Sequence, residues 1–81
     1  MTLRDRVWDA ALTMLVNRGK FKLRDLPFEE SERHTARRVL RTMIDLGWVK
    51  KESKHSGIYR LGPKGELLLD VDEEIIEASN S

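Results

Sequence analysis

The chain has 81 residues, 40% hydrophobic and 36% charged. It fits one small domain, with no cysteine for disulfides or thiolate metal sites, two histidines without a ligand cluster, and no run near the ~20 apolar residues of a membrane span. Its net charge of +1 is unevenly spread: residues 19–64 hold twelve Lys/Arg against six Asp/Glu, whereas residues 65–81 hold six acids and no base. A basic middle with an acidic end points to a nucleic-acid surface with an acidic appendage, against the plainer alternative of a solvated surface that happens to segregate.

The first segment opens on Met1-Thr2-Leu3-Arg4-Asp5, which has an early acid and no apolar run behind it. No secretory leader is expected, and a soluble, cytoplasmic protein is. From Thr2 to Arg18, Leu3, Val7, Ala11 and Leu15 recur at helical spacing, joined by Trp8, Leu12 and Met14. Thr2 is placed to cap this helix, with Asp5 three residues on, and Gly19 to end it in the left-handed conformation. The stripe reads as core.

Lys20-Phe21-Lys22-Leu23 alternates polar and apolar, the pattern of a very short strand or extended connector. Then comes Arg24-Asp25-Leu26-Pro27-Phe28-Glu29-Glu30. Pro27 lacks an N–H and steers Leu26 away from helical angles. Either a helix begins at Pro27 or a single turn ends near Leu26, so a short, irregular second helix is expected.

The third segment changes sign midway. Glu29, Glu30 and Glu32 precede Arg33, His34, Arg37, Arg38 and Arg41. Ser31 can cap a helix that runs to Leu46 and closes at Gly47. At ~100° per residue, Ala36, Val39, Leu40, Met43 and Leu46 share one arc, while His34, Arg37, Arg38 and Arg41 share the opposite one with Asp45 nearby. Asp45 at helical spacing could pair with Arg41 or Arg38, but such pairs contribute only ~0.2–0.5 kcal/mol and do not account for an arginine-rich face. The acids suit the positive end of a helix dipole. Glu32 is also placed where a carboxylate could accept from a cytosine amino group.

Trp48-Val49-Lys50-Lys51 and Ile58-Tyr59-Arg60-Leu61 flank a Ser-Gly turn signal and read as a hairpin. Its tip and outward positions are expected to carry Lys50, Lys51, Lys54, His55 and Arg60, with Trp48 and Tyr59 packed inward. Pro63 opens a last helix at its first position. Leu67 or Leu68, Val71 and Ile75 are expected to form its apolar stripe, with Asp70, Asp72, Glu73, Glu74 and Glu77 around it and Asn80 and Ser81 frayed.

The third segment, S-E-R-H-T-A-R-R-V-L-R-T-M-I-D-L-G-W-V-K-K, resembles the winged helix-turn-helix family. The hairpin exit Y-R-L-G-P-K-G resembles the segment that follows the wing in many bacterial and archaeal members, and F-K-L-R-D-L the lead-in to their second helix. Gly62 stands where a capping threonine is common, and the stretch from Leu26 to Thr35 lacks the common turn glycine.

The resemblance implies an α+β, mostly helical winged helix: a three-helix core, a short two- or three-stranded β-wing and a C-terminal helix. Residues 1–65 would form the winged helix-turn-helix domain. Residues 66–81 would form an acidic helix, packed on the same domain or used for dimerisation. It also implies a recognition helix over 31–46 in the DNA major groove and a wing over 48–61 on the phosphates. Carried over by position, Arg33, His34, Arg37, Arg38 and Arg41 face or flank the groove, and Lys51, Lys54 and His55 sit on the wing.

Double-stranded DNA is thus the expected partner, with transcription regulation the expected role and a homodimer through the C-terminal helix a further expectation. No nucleophile stands with its base, no glycine loop cradles a phosphate and no acids pair as in a cleft. Neither catalysis, a cofactor, a metal nor a small-molecule ligand is therefore expected. The rival is a protein-interaction module whose basic face docks an acidic partner. RNA or a replication complex is a third possibility.

Overall fold

The computed structural model describes residues 1–53, 57–69 and Glu74. Helix α1 spans Leu3–Arg18, strand β1 Lys20–Lys22, helix α2 Arg33–Asp45, strand β2 Val49–Lys51, strand β3 Ile58–Leu61 and helix α3 Pro63–Leu68. The result is an α+β, mostly helical arrangement with one three-stranded antiparallel sheet in the order β1-β3-β2. No helix among the described residues is long and apolar enough to cross a membrane.

The ends of α1 follow from its sequence. The Asp5 N–H donates to Thr2 Oγ1 at 3.2 Å, and the Thr2 N–H donates to Asp5 Oδ2 at 3.2 Å, so two otherwise unpaired donors are satisfied reciprocally. Gly19, at φ +79°, turns its N–H onto the Leu15 carbonyl at 3.0 Å. That turn delivers the chain directly into β1.

Between β1 and α2 the chain makes two 3-10 turns, Leu23–Asp25 and Glu30–Glu32, in place of a second α-helix. Of the two options left open by Pro27, the first turn is the one formed. Leu26 is extended at φ −84°, ψ 146°, as a residue before proline prefers, and ends it. Leu26 and Phe28 are buried on either side of the exposed Pro27, so this irregular segment is anchored by its apolar side chains.

Helix α2 starts later than expected. Ser31 lies inside the second 3-10 turn, and no side chain caps α2. The turn is held instead by the Glu29 N–H, which donates to Glu32 Oε1 at 3.0 Å. At the other end α2 stops at Asp45, and Leu46 is half-exposed rather than part of the core arc, because the chain has already turned away toward Gly47. Gly47, at φ +86°, closes the helix, and the Trp48 N–H reaches back to the Met43 carbonyl at 2.9 Å.

The core is one cluster. Val7, Ala11 and Leu15 of α1 meet Ala36, Val39, Leu40 and Met43 of α2, and the inner sheet face adds Phe21, Val49, Tyr59 and Leu61. Register explains the last group: Phe21 lies opposite Tyr59 and Val49 opposite Leu61, and Tyr59 and Leu61 are two positions apart on β3, so these alternate pairs put their side chains on one face. The Phe21 and Tyr59 rings stack with centroids 5.5 Å apart. Trp48 is half-buried against this cluster, with Lys64 Nζ 5.6 Å from the ring centroid.

Helix α3 departs most from expectation. Pro63 does occupy its first turn, but the helix ends at Leu68, and Leu67 and Leu68 are 81% and 58% exposed. The residue that packs inward is Leu69, extended beyond the helix end. Residues Val71 and Ile75 of the expected stripe, and Asp70, Asp72, Glu73, Glu77, Asn80 and Ser81, lie outside the described residues. The expected division at 65/66 falls inside α3.

Gly62, just before α3, has a reason that the sequence did not disclose. A Cβ there would stand 2.5 Å from the Gly47 carbonyl oxygen and 2.8 Å from Trp48 C, far inside the ~3.5 Å of ordinary contact. The Gly62 N–H donates to the Trp48 carbonyl at 2.9 Å, so the two backbones touch directly. A capping threonine has no room here, and glycine is required by close approach.

Candidate nucleic-acid interface

The outward face of α2 is built by helical periodicity alone. With Ala36, Val39, Leu40 and Met43 locked into the core, His34, Arg37, Arg38 and Arg41 are left exposed on the opposite side. Arg33 lies between these two arcs and is half-buried. Among the described residues, no carboxylate lies within ion-pairing distance of Arg33, Arg37, Arg38 or Arg41. The local pairing that Asp45 could have made with Arg41 or Arg38 is not formed, although Asp45 is exposed close by.

Two open clefts flank this ridge. One, of about 550 Å³, lies between α2 and the sheet and is lined by Arg37, Arg41, Ile44, Asp45, Lys51 and Tyr59. Lys51 reaches it because the pleat puts it on the same sheet face as Tyr59, and its Nζ sits 5.5 Å from the Tyr59 ring centroid. The Tyr59 hydroxyl has its pKa raised above the usual 10.0, chiefly by burial, with the Arg37 guanidinium pulling the other way. The helix and the hairpin thus contribute cations to one concavity.

The second cleft, of about 390 Å³, lies between α2 and the start of α1 and is lined by Arg4, Arg38, Arg41, Thr35, Thr42, Val39 and Asp45. Arg41 borders both clefts, as does the exposed Asp45. Arg4 is the residue that sequence reasoning missed. It sits on the polar side of α1, and only the packing of α1 on α2 carries it to Arg38.

The acidic half of the sign change is turned away. Glu32 is half-buried; one carboxylate oxygen accepts the Glu29 N–H, and the other lies 3.6 Å from Arg6 Nη1 of α1. Arg6 in turn sits over the Phe28 ring, 5.5 Å from its centroid. Glu32 is committed to holding the turn before α2 against α1. Glu29 and Glu30 are exposed in that turn.

On the hairpin the expected cations separate. Lys50 and Lys51 are exposed, on opposite sheet faces. Arg60 is not an outward wing cation: it is only 8% exposed, and its Nη2 donates to Glu52 Oε1 at 2.7 Å. As the middle strand, β3 is flanked on both sides, so a long side chain there is covered by its neighbours. Lys54 and His55 lie outside the described residues.

No protein-family model matches the chain, and no curated protein and no solved structure matches it.

Proposed function

We propose that this chain is a winged helix-turn-helix protein that binds duplex DNA, with α2 as recognition helix and the β2–β3 hairpin as wing, and that it regulates transcription. One observation carries the reading: Arg37 and Arg41 of α2 and Lys51 of β2 line the same open cleft, so a helix face and a hairpin offer one cationic surface. Neutralising phosphates releases condensed counterions, which supplies most of the affinity. Arg4, Arg38 and Lys51 suit that task from the two sides of the ridge. His34 and Arg37, in the first half of α2, would reach the base edges of a major groove, and an arginine fork matches the guanine edge.

Two half-sites would follow from a homodimer. Among the described residues, the adjacent exposed Leu67 and Leu68 of α3 offer an apolar surface for it. Sedimentation at rising concentration should then show a dimer that Leu67→Ser with Leu68→Ser abolishes, and a monomer throughout would remove this part of the reading.

The decisive experiment is fluorescence anisotropy with labelled random-sequence duplexes over a salt series, followed by selection from a random duplex pool. Affinity that falls steeply with salt, and enrichment of a shared motif, are the expected results. Absence of binding to any duplex at low salt overturns the DNA reading and leaves the cationic face to an acidic protein partner.

A further inference from the structure

The sheet has a second cationic face, on the side away from α2. Pleat alternation puts Phe21, Tyr59, Val49 and Leu61 inward, so Lys20 and Lys50 project outward on either side of Arg60, which is itself buried and paired with Glu52. Lys22 and Ile58 form the next cross-strand pair on that face. A shallow cleft of about 230 Å³ runs along β1, lined by Arg18, Lys20, Phe21, Lys22, Arg24, Asp25 and Ile58. Arg18, Lys20 and Arg24 are exposed around it. Its one carboxylate, Asp25, accepts the Lys22 N–H at 2.9 Å through Oδ2, and so is tied to the backbone.

We propose that this face binds the phosphate backbone of a second duplex, so that one protein molecule bridges two DNA segments. The inference rests on the DNA-binding reading of α2 and extends it. The chemistry of the face favours a polyanion over an acidic protein. Protein partners anchor on buried aromatic or aliphatic pockets, and among the described residues the apolar lining here is the buried Phe21 and the half-buried Ile58. Lysines and arginines around a shallow, open cleft, with no deep apolar pocket to seat an anchor side chain, suit a wet, sequence-independent phosphate contact. Lysines on an edge strand also discourage strand pairing between molecules, but that task does not call for Arg18 and Arg24 beside them. The two cationic faces lie on opposite sides of the sheet, so both can be occupied at once.

The test immobilises one duplex, adds protein, and measures capture of a second, fluorescent duplex from solution. The variant is Lys20→Glu with Arg24→Glu, both exposed, with circular dichroism to verify the fold. Wild type should capture the second duplex. The variant should lose about tenfold or more of that capture while its affinity for a single duplex, measured separately, changes by no more than about threefold, because exposed charges on the far face are screened beyond ~8 Å at physiological salt. Wild type that binds one duplex and never captures another overturns the proposal. So does a variant that captures as well as wild type, since a dimer bridging through two copies of α2 would behave that way. Absence of any duplex binding overturns the α2 reading itself, and this proposal with it.

Discussion

Replacing Arg37 and Arg41 together by alanine tests the proposed interface most directly. Arg4, Arg37, Arg38, Arg41 and Lys51 are the cations that line the two clefts beside α2. If each neutralises one phosphate, the slope of log affinity against log salt is about −0.9 per contact, or about −4.5 in total. Raising salt from about 50 to about 200 mM then weakens binding by about 500-fold. With Arg37 and Arg41 gone the slope drops to about −2.7, and the same salt step costs only about 40-fold. Folding should survive, because both side chains are exposed and neither is ion-paired among the described residues. Surface changes of this kind stay within about 0.5 kcal/mol each. Anisotropy titrations at four or five salt concentrations, beside a urea melt, read both quantities. A variant with the wild-type slope and also the wild-type affinity and sequence selectivity would show that neither arginine touches DNA, and would move the interface off this face of α2.

Three further outcomes follow from particular contacts. Glu32→Ala should lower stability by about 1 kcal/mol, mostly through the lost acceptor for the Glu29 N–H, since the partly exposed Arg6 pair is worth little. Glu32→Gln should recover much of that loss in a denaturant melt, and duplex selectivity that changes in either variant would return Glu32 to the groove. Gly62→Ala should cost about 1–3 kcal/mol, because its Cβ meets the backbone of Gly47 and Trp48, which cannot step aside as a side chain could. Thermal unfolding should shift down by roughly 4–8 °C per kcal/mol, and an unchanged midpoint would contradict the close approach. Finally, Tyr59 holds its proton to higher pH folded than unfolded, so stability should fall as pH rises above the ordinary phenol value of about 10, where the unfolded chain alone releases a proton. Arg37→Ala should push the Tyr59 titration higher still in an ultraviolet pH titration, and a downward move would refute the proximity of the two groups.

What could be read from residues alone was whatever depends on neighbours within a few positions. The Thr2–Asp5 cap, the Gly19 and Gly47 helix ends and the arginine face of α2 are set by spacing along a single helix, and each stands in the structure as the spacing requires. Local signals failed where a competing local bond was available: Ser31 looked like a cap, but the Glu29–Glu32 bond formed a 3-10 turn around it and α2 began at Arg33. They failed again in α3, where leucine spacing placed Leu67 or Leu68 inward, whereas the helix ends at Leu68 and the partly buried Leu69 packs on the core instead. Tertiary packing alone decided the remainder. It brought Arg4 to the cleft that Arg38 lines, tied Glu32 to Arg6, buried Arg60 between two strands and made glycine compulsory at position 62. The reason is physical: a side chain's environment across the core depends on which distant backbone lies opposite, and in a sheet of order β1-β3-β2 the neighbour of β1 is a strand more than 30 residues away, which no local pattern specifies.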